Sequence, residues 1–429
     1  MPIANTNTIT TRKGLSPFSK TSQHGKKYKT ILSAASELFN IYGTRGTTLI
    51  QIANKLNLTK TSLYYYAKNK EELVYQCYLN TCTELQDMLD VAKSTDGLAI
   101  NKLESLLKLN FECWVGIIEG TRSHLAGLTE IGSLSAKHQK EISTLYLSFV
   151  RQVMQILSEG EQDGSIQKLD TVKAASAIWG AIFWLPVWLP SIELHNLNKA
   201  FEDWQSIIKY GLYNSNQHLA FIKNHVDEET VFIDGFDRNE QNRIKQEAFY
   251  KVGTAFFNQK GFKGTSLDEI AQSLGVTKGA FYYHINNKDN LLIKCFERTI
   301  EIERKVLQQA LSKTELTGIE KLAFAAHQLF TIQVGEQGPL IRYARMWSLN
   351  LEERQKIEAK TRKIRNLFGE IIELGFSDGT IKSTELLVAE NIIAGAVESV
   401  PDLGDNINVD DVTSDAVTFF HVFFNGIAR

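Results

Sequence analysis

At 429 residues, 43% hydrophobic and 22% charged, the chain has the make-up of a globular protein with room for roughly two to four domains. A net charge of −2 excludes an attraction to nucleic acid spread over the whole surface, so any such contact has to be local. Cys77, Cys82, Cys113 and Cys295 lack the CxxC spacing of a zinc site and suit buried thiols in a reducing compartment better than a disulfide framework.

Residues 1–24 are rich in Thr, Ser and Asn and read as a flexible arm. The arm is basic: no acidic residue occurs before Glu37, while Arg12, Lys13, Lys20, Lys26, Lys27 and Lys29 precede it. No apolar signal segment follows, which gives a cytoplasmic expectation. Helical patterning begins near Lys27, with Ile31, Ala34, Ala35, Leu38 and Tyr42 on one face and Gly43 as its stop. Thr48-Leu49-Ile50-Gln51 forms a capping box for a short helix that turns Leu49, Ile52, Ala53 and Leu56 inward. Asn57 tolerates the left-handed backbone of a tight turn, and Thr59 can cap the next helix. That spacing predicts a helix-turn-helix.

Further along, Phe111, Trp114, Val115 and Ile118 form one apolar stripe, and Tyr146, Phe149, Val150, Val153 and Leu157 another. Trp114, Tyr146 and Phe149 are candidates for a ligand pocket, against the plainer reading that such stripes are core. Ala174 to Leu189 is apolar but shorter than the roughly 20 residues of a membrane span, and Pro186 interrupts it. Trp179, Trp184 and Trp188 suit a helix–helix interface, where Gly180 and Ala181 allow close approach. Asp227 to Asn239 reads as a connector, with Val231-Phe232-Ile233 a possible strand inside it.

The pattern then starts again. Gly43 to Leu73 overlays Gly261 to Leu291 without a gap, 218 residues on, with Thr47/Thr265, Ile52/Ile270, Ala53/Ala271, Thr59/Thr277, Lys60/Lys278, Tyr64/Tyr282, Tyr65/Tyr283 and Lys70/Lys288 among the identities. Ser266 to Glu269 stands where the first copy has its capping box, and Gly275 stands for Asn57. Ile364, Leu367, Phe368 and Ile371 continue the helical pattern. The later parts correspond at an offset of 215: Asp163-Gly164 with Asp378-Gly379, Gly180-Ala181 with Gly395-Ala396, and Pro186 with Pro401. A whole two-part unit is duplicated.

Thr47-Thr48, Thr59-Lys60, Tyr64-Tyr65-Tyr66 and Asn69-Lys70, with Thr265-Ser266, Thr277-Lys278-Gly279-Ala280, Tyr282-Tyr283-His284 and Asn287-Lys288, resemble the DNA-binding domain of TetR-type transcriptional regulators. The resemblance implies an all-α fold: two helix-turn-helix domains, each followed by a helical-bundle effector or dimerisation domain. The expected order is a basic arm (1–24), a first helix-turn-helix domain (25–75), a first effector-like domain (76–223), a linker (224–239), a second helix-turn-helix domain (240–293) and a second effector-like domain (294–429). It also implies double-stranded operator DNA as partner, a small-molecule effector, and pairing of the last helices of each half, here as an intramolecular pseudo-dimer favoured over a homodimer.

Expected DNA-facing residues are Thr47, Thr48, Thr59, Lys60, Thr61, Ser62, Tyr64, Tyr65 and Lys70 in copy one. In copy two they are Thr265, Ser266, Thr277, Lys278, Gly279, Ala280, Tyr282, Tyr283 and Lys288. Hydroxyls, lysines and helix N-terminal amides suit phosphate oxygens, while Thr61-Ser62 and Gly279-Ala280 stand where base edges would be met. Their unlike chemistry predicts unlike half-sites. Gly43–Leu73 carries a net charge of about +3 and Gly261–Leu291 about 0, so copy one is expected to grip harder. No HExxH, phosphate loop or GxSxG occurs, and no enzyme, cofactor or metal is expected. The competing reading is a helical protein-interaction module whose helix-turn-helix units no longer read DNA.

Overall fold

The computed structural model describes residues 22–215, 219, 238–408 and 410–429. Most of the basic arm, most of the connector and the strand expected at 231–233 lie outside those residues. The first half runs α1 (Ser22–Gly46), α2 (Leu49–Lys55), α3 (Lys60–Tyr64), α4 (Lys70–Lys93), α5 (Ala99–Ile118), α6 (Ala136–Asp163), α7 (Thr171–Trp188) and α8 (Leu197–Tyr210). The second repeats it as α9 (Arg238–Gly264), α10 (Leu267–Ser273), α11 (Lys278–His284), α12 (Lys288–Ser312), α13 (Gly318–Val334), α14 (Leu351–Ser377), α15 (Leu386–Ser399) and α16 (Val412–Asn425). Among the described residues no β-strand forms. The expected divisions at 75/76 and 293/294 fall inside α4 and α12, each a continuous helix that carries its helix-turn-helix into the bundle behind it.

Repeated residues make repeated joints. Asn69 accepts from Glu72 N at 2.8 Å and Asn287 from Asn290 N at 2.8 Å, so both long helices start on the same cap. The repeated Asp-Gly pairs end α6 and α14. Asp163 accepts from Ala99 N and Asp378 from Gly318 N, each at 2.7 Å, so a carboxylate at one helix end satisfies an orphan amide at the start of another.

The halves meet along α7 and α15, with α8 and α16 packed beside them. Gly180 and Gly395 are the close points: a Cβ on Gly180 would stand 2.4 Å from Ser399 Oγ, and one on Gly395 2.7 Å from Trp184 Cβ. Trp184 Nε1 donates across this seam to Asn391 Oδ1 at 3.2 Å, while Trp179 and Trp188 are buried in the core. At the far end the contacts are reciprocal. Ile166 bridges Ala428, and Tyr213 bridges Ile381. Gln167 N donates to Ile427 O and Lys382 N to Leu212 O, each at 2.9 Å.

The segment Thr171–Ser191 is 21 residues long and passes the length and composition test for a membrane span that the sequence reading had it fail. Two-thirds of its most apolar window is buried in the fold, and its apolar side chains pack against α6, α15 and α16.

Burial also sets a pH dependence. The carboxyl of Glu303 on α12 is pushed up to about 8, first by burial and then by neighbouring Glu398, with Arg365 opposing. Glu398 and Glu390 rise to about 7 by burial. A carboxyl that holds its proton more tightly folded than unfolded stabilises fully below the ordinary 4.5, and that contribution is lost as pH rises through about 8. Urea unfolding should therefore show stability falling between pH 5 and pH 8. Glu303→Gln should remove on the order of 2–4 kcal/mol of that fall. An unchanged pH profile in the variant would refute this.

Candidate DNA-binding helices and an effector cavity

In each half a short two-helix unit leans on the first long helix. Thr48 caps α2 with both bonds of a capping box: Gln51 N to Thr48 Oγ1 at 3.2 Å, and Thr48 N to Gln51 Oε1 at 2.7 Å. The second copy departs from this. Ser266 makes no side-chain cap bond, and Glu269 turns away to Lys260 at 2.9 Å. The turn itself is as expected, with Asn57 at φ 52° and Gly275 at φ 65°. Thr59 and Thr277 then accept from Ser62 N at 3.1 Å and Ala280 N at 3.2 Å, starting α3 and α11.

Buried Leu63 and Phe281 seat these helices, and the opposite faces are open. Tyr64 and Tyr65 are exposed, as are Tyr282 and Tyr283, the last by 83%. Thr48, Thr59, Lys60, Thr61, Thr277, Lys278, Gly279 and Ala280 are exposed, and Ser62 and Ser266 partly so. Four expected contacts need correction. Thr47 and Thr265 are buried, 0% and 2% exposed, and their hydroxyls donate to Gly43 O at 2.9 Å and Gly261 O at 2.7 Å. Lys70 and Lys288 are half-buried and donate to Thr47 O at 2.9 Å and Thr265 O at 2.8 Å. Desolvation lowers both lysine pKa values. These four residues hold the corner between the long helix and the two-helix unit, a task that identical residues in both copies serve equally well.

The outer faces of the copies differ more than their tyrosines suggest. Asp268 holds Lys278 Nζ at 2.5 Å and accepts from Tyr282 Oη at 3.4 Å. At the same place copy one has Ile50, 52% exposed, which offers Lys60 and Tyr64 no acceptor. There Lys60 lies 5.6 Å over the Tyr64 ring. The overlay of the two copies contained this Ile/Asp difference, but only the fold brings the carboxylate to the lysine ten residues on.

Behind the first unit lies a cavity of about 360 Å³. Trp114 and Tyr146 line it, with Leu85, Met88 and Phe183. Phe149, expected there, is fully buried and packs on Trp179 with ring centroids 5.5 Å apart, so it belongs to the core. Sequence reasoning missed the charged side of the cavity, because it comes from the other half: Arg342, Arg345, Glu398 and Asp402. Asp402 pairs with Arg342 at 2.5 Å and accepts from Tyr146 Oη at 3.1 Å. Glu398 accepts from Tyr343 N at 3.2 Å. Among the described residues no group of three His, Cys, Asp or Glu is placed to hold a metal ion.

The model for bacterial regulatory proteins of the tetR family matches residues 31–77 and again 250–295, and that for a tetracyclin repressor-like C-terminal domain matches 103–191. The chain is similar to the fatty acid metabolism regulator protein of Bacillus subtilis (strain 168), 24% identical over 160 residues, 37% of this chain and 82% of that protein. It is also similar to the transposon Tn10 TetC protein of Escherichia coli, 42% identical over 62 residues, 14% of this chain but only 29% of that protein. Among solved structures, AibR in complex with isovaleryl coenzyme A and operator DNA aligns with 42% of this chain and 97% of its own, at 18% identity and a TM-score of 0.35. With its DNA-binding unit matched twice and a C-terminal unit matched between the two, this chain belongs to the tetR family of bacterial regulatory proteins, as a tandem DNA-binding transcriptional regulator and not an enzyme.

Proposed function

We propose that the chain is a repressor that holds one operator with α3 and α11 and is released by a small amphipathic ligand in its helical domains. The observation that carries the DNA contact is the pair of exposed tyrosines at each of two matching short helices, where among the described residues Tyr42 and Tyr210 are the only other exposed Phe, Tyr or Trp rings. The proposed readers are Thr61-Ser62 and Gly279-Ala280. Thr48, Thr59, Lys60, Tyr64 and Tyr65, with Ser266, Thr277, Lys278, Tyr282 and Tyr283, are the proposed phosphate contacts. The cavity and its mixed lining support a ligand with an apolar body and a polar head. The name of the Bacillus subtilis relative favours a fatty-acid derivative as its class.

We further read the two halves, joined by a linker at 224–239, as an intramolecular pseudo-dimer. The α7–α15 seam and the reciprocal bonds at Ile166, Tyr213, Ile381 and Ala428 support that reading. The grip of Asp268 on Lys278 and Tyr282 favours a weaker hold on DNA by copy two than by copy one.

Titration of the full chain against DNA from beside its own gene, in rising salt, tests the proposal. Binding should be tighter to one fragment than to random DNA, should fall steeply with salt, and should give a consensus of two unlike half-sites. No preference for any fragment would sink the regulator reading. A perfect palindrome would remove Thr61-Ser62 and Gly279-Ala280 as readers.

A further inference from the structure

Two 3-10 turns, Leu128–Ser133 and Tyr343–Ser348, sit at corresponding places in the halves, and each packs on the first helix of the other half. Tyr343–Ser348 lies on the end of α1. A Cβ on Gly43 would stand 2.5 Å from Trp347 O, and Arg45 Nη1 donates to Ser348 O at 3.1 Å. Leu128–Ser133 lies on the end of α9, where a Cβ on Gly132 would stand 3.1 Å from Gly261 N. These helix ends carry the two helix-turn-helix units. Both turns also line the cavity described above, Ile131 and Gly132 from one side and Tyr343, Arg345 and Trp347 from the other.

The charges in the cavity wall are not equally committed. Asp402 is taken by Arg342 and Tyr146, and Glu398 accepts from Tyr343 N. Arg345 is 6% exposed; its Nη2 donates to Asn258 O at 3.2 Å, but its Nε–H has no acceptor. Glu130, an opposite charge that acts on it from outside the cavity wall, is itself engaged by Thr44 N and by Ser348 Oγ. A buried guanidinium left short of partners is costly, and an incoming anion would relieve it. Where α5 carries Trp114, the corresponding place on α13 carries Gln333, whose amide accepts from Leu340 N at 2.9 Å and donates to Val397 O at 3.4 Å.

We infer that this cavity is one shared effector site per chain, taking an amphipathic carboxylic acid with its head on Arg345 and its apolar body toward Met88, Trp114 and Phe183, and that filling it shifts both turns and so both DNA-binding units together. This rests on the reading of a ligand-released regulator and adds the residue that takes the ligand's head, its stoichiometry and its route to the DNA. One molecule touches both turns, so the two units need no second ligand to respond.

Calorimetry on the full chain with dodecanoate, dodecanol and dodecylamine tests the site. Dodecanoate should bind at one per chain and most tightly. Arg345→Met should weaken it about 10- to 100-fold, with dodecanol little changed, as expected for a charge-assisted hydrogen bond. Leu85→Trp, which narrows the apolar end, should weaken dodecanoate and dodecanol alike and stands in should Arg345→Met fail to fold. Hydrogen exchange in residues 38–46 and 256–264 should change together and saturate at one equivalent. Two ligands per chain, tighter binding of the amine, no binding by any of the three, or a response in only one helix end would each overturn the inference. Binding with both helix ends responding, but with the operator still held, would instead count against the ligand-released regulator.

Discussion

Replacing Lys60 and Tyr64 by alanine should weaken operator binding roughly 100- to 1,000-fold, whereas replacing Lys278 and Tyr282 should cost about tenfold or less. The two pairs are the same residues at the same places, so sequence identity alone would predict equal losses. What separates them is Asp268. In copy two it already holds Lys278 and takes a bond from Tyr282, and it raises the lysine pKa through that bond. A phosphate oxygen must compete with that carboxylate and then sit beside its charge. In copy one Ile50 leaves the corresponding lysine and tyrosine to the solvent side, where releasing counterions from DNA is the main reward. The salt slope should therefore flatten more for the Lys60 and Tyr64 variant. Asp268→Ile should tighten binding about fivefold to tenfold at low salt, with the gain shrinking as salt screens it. Gel shifts over a salt series would check all three variants. Equal losses from the two double substitutions would mean that Asp268 swings away on DNA and that the copies grip alike.

Much of this architecture could be read from spacing. Thr48 with Gln51, Asn57, Gly275, Thr59 and Thr277 are local signals, because a cap or a left-handed turn depends on residues within a few positions of each other. Local spacing misjudged Ser266, since Glu269 found a better partner in Lys260 on another helix. It also misplaced Thr47, Thr265, Lys70 and Lys288. A repeated residue is equally expected of a shared DNA contact and of a shared fold corner, and only burial separates the two. The charged wall of the cavity was beyond reach for a different reason. Arg342, Arg345, Glu398 and Asp402 meet Trp114 and Tyr146 across more than 190 residues of chain, and no periodicity records such a meeting. Phe149 shares a stripe with Tyr146, yet a helix turns about 100° per residue, which sends one ring toward Trp179 and the other to the cavity.

The seam between α7 and α15 should respond to a single added side chain without any change in the number of chains per particle. Gly180→Val would push side-chain atoms into Ser399, and Gly395→Val into Trp184, where even a Cβ has 2.4 Å and 2.7 Å respectively. Overpacking of this kind costs about 1–3 kcal/mol in a tight core, so either variant should unfold at lower urea and hold the operator less well. The decisive measurement is light scattering. In the pseudo-dimer both partners belong to one chain, and the linker keeps each half at an effective concentration of roughly millimolar for the other. Wild type and variants should then all scatter as one chain of 48.4 kDa at micromolar concentration, with the loss of stability independent of protein concentration. If the seam instead joins two chains, wild type will scatter at twice that mass, and Gly180→Val will halve it. The reciprocal bonds at the far end argue for the first outcome. Gly211 lies on the Phe424–Asn425 backbone and Gly426 on that of Lys209–Tyr210, both at positive φ, so each half's last turn closes on the other's with no room for a side chain. A second, independent close approach of this kind keeps the halves paired when one glycine of the α7–α15 seam is lost, which is why the variants should weaken before they separate.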